Sequence, residues 1–312
     1  MQGAMASGGR TSDKGRRGAT DWLADRAIRA VIALALALPY ERRVRFAGWV
    51  MRRLIARPAG YLARAEENLA LIWPDMPPAE RQRIARAVAD NAGRTLIENY
   101  STRDFLARMA SAEPRGPGLA ALEAAHAAGR PVILVTGHFG NYEAARAALV
   151  ARGHAVGGLY RPMRNRFFNA HYVRTMEAFG GPVFAQGRRG TGGFVRHLKS
   201  GGVLVLLIDQ HHRRGASLDF MGQPALTSLS AAELALRYGA ELIPFYATRR
   251  PDGLSFDIAL EAPVPAGTPE AMTQALNDSL AARVRAHPEQ WFWIHRRWKA
   301  PRPRGRSRAG TA

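Results

Sequence analysis

The second half of the chain alternates between short apolar runs and longer amphipathic segments. The apolar runs predict strands at 132–137, 155–160, 182–185, 203–208, 241–247 and 254–260. The amphipathic segments predict helices at 119–128, 142–152, 165–179, 191–199, 229–238 and 269–286. Strands that alternate with helices are typical of an α/β fold, in which helices flank a mainly parallel sheet. We therefore predict an α/β core over residues 112–300.

The first third of the chain has helical periodicity only. Residues 20–111 predict a helical region, with a long Ala- and Arg-rich helix over 79–106. Within this region, residues 30–38 are uniformly apolar and have arginines on both sides. About ten apolar residues are too few for a spanning helix, which needs about twenty. We favour a helix lying in a membrane interface; a buried core helix and a cleaved signal or true span stay open as alternatives.

The two ends of the chain differ from the rest in composition. Residues 1–19 are rich in Gly, Ser, Arg and Lys, and residues 301–312 are rich in Arg, Pro and Gly. Such segments bury too little apolar surface to fold alone. We predict disorder for both, so the expected organisation is a basic N-terminus, a helical membrane-associating region, an α/β core and a tail.

The charge and the cysteine content limit which kinds of site and which binding partners are possible. The 312 residues contain no Cys and carry a formal net charge of +20. The first fact excludes disulfides, thiolate metal sites and a cysteine nucleophile. The second indicates a polyanionic partner: nucleic acid, an anionic membrane, or an acidic carrier protein with a phosphorylated substrate. The sequence has no helix-turn-helix, zinc or RNA-recognition signature, which argues against nucleic acid.

A histidine and a carboxylate follow the strongest predicted strand. His138 lies in a Gly-flanked turn after residues 132–136, and Glu143 lies in the first turn of the next predicted helix. A base together with a carboxylate that orients it can deprotonate a hydroxyl. The alternative is a turn histidine followed by a glutamate that only complements the helix dipole. The spacing alone leaves both interpretations open.

Two other strand ends carry charged residues. Arg161 follows an apolar strand and precedes Pro162, where it could bind a phosphate or could be one surface arginine among many. Asp209 ends the strand at 203–208, where it could face a pocket or cap a turn. The adjacent His211 and His212 would point in opposite directions on an extended chain, so we predict no metal site. The sequence has no Gly-x-Ser-x-Gly elbow to indicate a covalent serine route.

Six ordered blocks resemble one protein family. The His-x4-Glu block resembles the glycerolipid acyltransferase superfamily, and its full form resembles the late acyltransferases of lipid A biosynthesis. The six blocks are His138-Phe139-Gly140-Asn141-Tyr142-Glu143, Tyr160-Arg161-Pro162, Asp209-Gln210, Phe220-Met221-Gly222-Gln223-Pro224-Ala225, Ile243-Pro244-Phe245 and the C-terminal run 288–298.

The resemblance implies an acyltransferase. It implies transfer of a fatty acyl chain from acyl-acyl carrier protein to a hydroxyl of a lipid A precursor, an anionic glycolipid, without a covalent intermediate. A lysophospholipid or an amino-acid-based lipid is the alternative acceptor, and a basic nucleic-acid-binding protein is the distant alternative function. The resemblance also implies a location at the inner membrane with the active site facing the cytoplasm, and neither a cofactor nor a metal.

The resemblance also suggests roles for particular residues. His138 would be the general base, and Glu143 would hold its imidazole. The substrate-binding residues would be Arg161, Asp209, Gly140 and Asn141. The length of the acyl chain, the acylated hydroxyl and the oligomeric state stay open.

Overall fold

A computed structural model describes residues 8–298. Its N-terminal part is helical, as predicted, and consists of α1 (Gly8–Leu36), α2 (Tyr40–Val50), a π-helical turn (Met51–Ile55), α3 (Tyr61–Ile72), α4 (Pro78–Tyr100) and α5 (Thr102–Met109). Helix α1 begins inside the segment for which we predicted disorder, and the predicted disordered tail at 301–312 lies outside the described residues. The long helix predicted over 79–106 is divided at Ser101, whose ψ of 35° leaves the helical region.

The rest of the chain forms the predicted α/β core. Its elements are α6 (Pro117–Ala127), β1 (Val132–Thr136), α7 (Tyr142–Ala151), β2 (Val156–Tyr160), α8 (Arg166–Glu177), β3 (Val183–Ala185), α9 (Arg188–Lys199), β4 (Val203–Leu207), β5 (Ala216–Phe220), β6 (Gln223–Thr227), α10 (Ser230–Tyr238), β7 (Glu241–Arg249), β8 (Phe256–Leu260) and α11 (Pro269–Ala286). A 3₁₀ turn, Pro288–Gln290, follows α11.

Six strands form one sheet in the order β3-β2-β4-β1-β7-β8. All neighbours are parallel except β7 and β8, so the prediction of a mainly parallel sheet flanked by helices is confirmed. Strand β1 lies between β4 and β7, and all five of its residues are buried. Because parallel strands end at the same edge, the residues after β1, β4 and β2 lie on one side of the sheet, where α/β proteins place their ligands.

The β5–β6 hairpin was not predicted. Its strands pair antiparallel outside the main sheet, and Met221 and Gly222 connect them with φ angles of 60° and 84°. Two consecutive residues at positive φ are typical of a tight hairpin turn, in which glycine carries no steric cost. The hairpin packs on α11, since Asn277 donates to the carbonyl oxygen of Asp219 at 2.9 Å.

The apolar segment at 30–38 occupies the end of α1 and the turn after it. Ala35 and Leu36 pack against the core, whereas Leu34 is 73% exposed and Val31 is 66% exposed. Among the helices of residues 8–298, none combines the length and hydropathy that crossing a membrane requires.

Candidate active site

His138 lies just beyond the end of β1, and Asp209 lies just beyond the end of the neighbouring strand β4. The Asp209 carboxylate makes two contacts with His138. The Nδ1 atom of His138 lies 2.8 Å from Oδ1 of Asp209, and the backbone N–H of His138 donates to Oδ2 at 2.7 Å. Trp291 donates from its indole Nε1 to the same Oδ2 at 2.9 Å. The structure therefore brings together two predicted site residues, 71 positions apart, as a histidine–aspartate pair.

The Asp209 carboxylate is ionised although it is fully buried. Burial opposes ionisation, but the charge of His138 and the hydrogen bonds from its side chain and backbone outweigh that effect. They hold the pKa of Asp209 well below its usual range. An ionised carboxylate only accepts hydrogen bonds, so Nδ1 of His138 carries the proton that it shares with Asp209. In the neutral imidazole Nε2 is then the nitrogen without a proton, which is the form that a general base requires.

The predicted contact between Glu143 and His138 is wrong. Glu143 is buried, and its carboxylate accepts a hydrogen bond from the guanidinium Nη1 of Arg146 at 3.0 Å. The reason is helical geometry: Glu143 lies in the first turn of α7, and a residue three positions later lies on the same helix face. Asp209 therefore makes the contact that we had predicted for Glu143. A contribution of Glu143 to the rate by another route stays a prediction.

Gly140 and Asn141, which we predicted to bind substrate, hold the loop that carries His138. Both are buried. Gly140 has a φ of 54°, and a Cβ atom there would lie 1.9 Å from the carbonyl oxygen of Ala247. Asn141 caps α7 by accepting from the backbone N–H of Glu143 at 3.1 Å. Their hydrogen bonds in this structure go to protein groups, and the predicted substrate contacts stay a prediction.

A buried ion pair behind the loop was missed from the sequence. Glu98 of α4 is fully buried and accepts two hydrogen bonds from Arg249 of β7. It also accepts from the amide Nδ2 of Asn141 at 2.9 Å, while Thr95 donates to the carbonyl oxygen of Gly140 at 3.2 Å. The N-terminal helical region thus holds the His138 loop directly. No local signal in the sequence indicates a pair whose members are 151 positions apart.

The C-terminal segment completes the site. Its aromatic residues Trp291 and Trp293 are fully buried and pack in the core. Arg297, however, is also fully buried and donates to the carbonyl oxygen of Leu226 at 2.9 Å. His295 was not predicted as a site residue, yet its ring centroid lies 4.5 Å from that of His138.

Arg161 lies at the end of β2 and is exposed. It shares the sheet edge with His138 and Asp209, because β2 neighbours β4 and β4 neighbours β1. The structure therefore places it on the correct side of the sheet for an anionic substrate, but not against the histidine–aspartate pair. Its role stays a prediction.

An apolar cavity of about 600 Å³ adjoins the site. Its walls come from α1, α2, α4, α7 and α8, and include Val31, Ile97 and Phe179. Tyr142 and Glu143 line it at the start of α7, and the ring of Tyr142 is 6.0 Å from that of His138. A mainly apolar cavity that reaches the neighbourhood of a base is suited to hold a long hydrocarbon chain.

His138, Asp209 and His295 are also close enough to be considered as metal ligands, since one ligand atom from each lies within 4.8 Å of the others. The contacts of the carboxylate argue against a resident metal. Asp209 already accepts three N–H groups, two from His138 and one from Trp291. A cation would compete with these donors for the carboxylate, and we keep the prediction that the reaction needs no metal.

Comparison with known proteins supports acyl transfer. The family model described as bacterial lipid A biosynthesis acyltransferase matches residues 12–300. A phosphatidylinositol mannoside acyltransferase of Mycobacterium tuberculosis (strain CDC 1551 / Oshkosh) is 28% identical over 91% of this chain and 90% of its own. The lipid A biosynthesis lauroyltransferase of Escherichia coli K12 is 26% identical over 88% of this chain and 90% of its own. The palmitoleoyltransferase of the same strain is 26% identical over 81% and 84%.

Proposed function

This chain belongs to the bacterial lipid A biosynthesis acyltransferase family, and we propose that it transfers a fatty acyl chain from acyl-acyl carrier protein to a hydroxyl of a lipid A precursor. The observation that carries the proposal is the histidine–aspartate pair beside an apolar cavity. The pair can activate a hydroxyl, and the cavity can bury an acyl chain. The finer features, namely the donor, the acceptor and the residue roles, are inferences.

The proposed chemistry is direct transfer in one ternary complex. The acceptor hydroxyl attacks the thioester carbon, and its proton passes to Nε2 of His138. Asp209 fixes the imidazole in the required tautomer and stabilises its cation. When the C–S bond breaks, the departing thiolate takes the proton from His138. Base catalysis of this kind contributes about 10²- to 10⁴-fold, and alignment of the two substrates supplies much of the rest.

We propose that the acyl chain occupies the apolar cavity. In that position its carboxyl end would pass Tyr142, whose ring neighbours His138, and its methyl end would extend between α1 and α8. Glu143, which is paired with Arg146, would then form a charged boundary of the cavity. A buried ion pair resists contact with hydrocarbon because desolvating it further is costly.

We propose that the N-terminal helices bind the inner membrane, with the site on the cytoplasmic face. Twelve of the fourteen exposed large apolar side chains among the described residues lie between positions 22 and 96, and they include Trp22, Phe46 and Trp49. Exposed arginines such as Arg42 and Arg45 lie among them. An apolar surface with cationic neighbours is typical of a protein that inserts into an anionic interface without spanning it.

The same net charge of +20 suits the donor and the acceptor. Acyl carrier proteins are acidic, and a lipid A precursor is anionic. Arg161 lies exposed at the same sheet edge as His138, where a phosphate of the acceptor could reach its guanidinium. We propose this contact as the way in which the acceptor is oriented.

A second acceptor class has a specific observation in its favour. The relative at 28% identity is named a phosphatidylinositol mannoside acyltransferase. We therefore retain a phosphoinositide-type glycolipid, together with a lysophospholipid or an amino-acid-based lipid, as alternative acceptors. The chemistry at His138 would be the same for each.

The test is acyl transfer by membranes that contain the protein. Labelled acyl-acyl carrier protein would be supplied with a lipid A precursor, a phosphatidylinositol mannoside or a lysophospholipid in parallel. Transfer to the lipid A precursor, lost in His138→Ala, would support the proposal in full. Transfer only to another lipid would correct the acceptor, and undiminished transfer by a folded His138→Ala variant would refute the proposed base.

A further inference from the structure

His295 is a partly buried imidazole at the candidate site, and its Nε2 atom has no hydrogen-bond partner among the described residues. Its Nε2 atom is inaccessible to solvent and meets no protein donor or acceptor among the described residues. Its ring stands edge-on to that of His138, with centroids 4.5 Å apart and an interplanar angle of 80°. A buried polar atom without a partner is unfavourable, because it has lost its hydrogen bond to water and gained none. Such an atom next to a base suggests that a substrate provides the partner.

Hydrogen bonds to the backbone fix the position of His295. The amide Nδ2 of Asn68 donates to the carbonyl oxygens of both Trp293 and His295, at 2.7 and 2.8 Å. The backbone N–H of His295 donates to the carbonyl oxygen of Phe292 at 3.1 Å. The backbone is thus held on both sides while the side chain has no hydrogen bond at Nε2. This combination is expected of a preorganised group, because catalytic donors should not need to reorganise during the reaction.

We propose that His295 is a third catalytic residue, which donates a hydrogen bond from its neutral imidazole to the oxyanion of the tetrahedral intermediate. The proposal rests on the acyl transfer proposed above. The attacking and carbonyl oxygens share one carbon atom in that intermediate. The two rings have centroids 4.5 Å apart and bring one nitrogen each to within 4.8 Å of the other, so they are close enough to contact the two oxygens at the same time.

The distribution of protons agrees with this role. Burial and the nearby charge of His138 lower the pKa of His295 to about 4. At neutral pH the ring is therefore uncharged, and one of its nitrogens keeps an N–H that can donate. A cation at this position would oppose the protonation of His138 in the transition state, whereas a neutral donor does not. His295 gives up no proton in any step.

The ring of Phe292 also contacts His295, with centroids 4.6 Å apart. Because Nε2 is covered in this structure, the thioester must displace a neighbouring group when it binds, and the partly exposed Phe292 is the group best placed to move. Geometry of this kind tightens only in the substrate complex, as is common for catalytic hydrogen bonds.

Two substitutions separate catalysis from packing. His295→Phe keeps an aromatic ring against His138 and Phe292 but removes the donor, whereas His295→Gln keeps a donating N–H but removes the ring. We expect His295→Phe to lower kcat by about 10²- to 10³-fold with little change in KM. We expect His295→Gln to recover at least about tenfold of that loss. A purely structural role would give the reverse order.

Binding of dodecyl phosphonate provides a readout that does not depend on turnover. Its tetrahedral anionic head group resembles the oxyanion. We expect His295→Phe to weaken binding at least about tenfold and His295→Gln to bind like the wild type. The proposal is overturned if Phe is tolerated better than Gln in either assay, or if both variants bind and turn over like the wild type. Absence of transfer by the wild type would refute the proposed function, and the phosphonate result would then decide the role of His295 alone.

Discussion

Replacing Asp209 by asparagine should inactivate the enzyme while leaving it folded. The reason lies in how the two carboxylate oxygens are used. Oδ2 accepts from two N–H groups, the backbone of His138 and the indole of Trp291, whereas Oδ1 meets only the Nδ1 atom of His138. The single oxygen of an amide should take the position that has two donors, because that arrangement satisfies more hydrogen bonds.

The amide NH₂ then faces Nδ1 of His138 and donates to it. This reverses the tautomer: Nδ1 becomes the acceptor, and Nε2 carries the proton. A protonated Nε2 cannot accept the proton of the acceptor hydroxyl. In the Ser-His-Asp triad the same substitution lowers kcat about 10⁴-fold for this reason. We expect a loss of about 10³- to 10⁴-fold here, which corresponds to about 4–5.5 kcal/mol in the activation free energy.

The assay is acyl transfer from acyl-acyl carrier protein, with thermal unfolding followed by circular dichroism on the same preparation. Glu143→Gln is the matched control, since it makes the same change in the carboxylate that contacts Arg146 in place of His138. It should lower the melting temperature, because a buried guanidinium loses its charged partner. Its kcat should fall by less than about tenfold.

Three outcomes would distinguish the roles of the two carboxylates. A large loss in Asp209→Asn with a small loss in Glu143→Gln agrees with the contacts in the structure. The opposite order would refute the reasoning and would restore Glu143 as the group that orients the base. Retention of kcat by Asp209→Asn within about tenfold would show that the tautomer is set in another way.

Three further predictions concern the same site. Gly140→Ala should lower the free energy of unfolding by about 1–3 kcal/mol and displace the His138 loop, because Gly140 has a positive φ and the new Cβ would lie 1.9 Å from a carbonyl oxygen. Gly158→Ala is the control, since the space around its new Cβ is open, and it should change neither the free energy of unfolding nor kcat. The pKa of His295 is about 4 in the folded protein and 6.5 in the unfolded chain, so the unfolded chain takes up the proton first as the pH falls. In urea unfolding, lowering the pH from 7.5 to 5 should therefore destabilise the wild type by about 2 kcal/mol more than it destabilises His295→Phe. EDTA should leave kcat unchanged, since three N–H groups already occupy the oxygens of Asp209; loss of activity that Zn²⁺ or Mg²⁺ restores would contradict this.

Part of the fold could be predicted from local patterns, and part could not. Strands such as β1 and β4 are continuous apolar runs because helices cover both faces of the sheet, so their signal is strong. Strands β5 and β6 were missed because they lie outside this sheet, and their residues alternate between partly buried and exposed positions. A short strand with half its positions polar resembles a loop in sequence.

Local sequence patterns also identified only part of the candidate site. His138 could be predicted because a strand end places it, and strand ends follow from local patterns. Its partner could not, because Glu143 is near in sequence but lies on a helix face directed at Arg146, whereas Asp209 is distant in sequence but follows the neighbouring strand. Strand order, which no local pattern determines, was the missing information.

The C-terminal segment at 288–298 is therefore part of the candidate active site. It meets the His138 loop through three separate hydrogen bonds: Phe292 N–H to the carbonyl of His138 at 2.9 Å, Gly140 N–H to the carbonyl of Gln290 at 2.9 Å, and the indole of Trp291 to Asp209. Because the loop, the carboxylate and this segment each satisfy the polar groups of the others, none of them has its site geometry without the other two. A site assembled in this way forms only when the sheet, α11 and the chain beyond it have all folded. Catalytic competence should therefore appear with the last tertiary contacts, those made by residues more than 80 positions from Asp209.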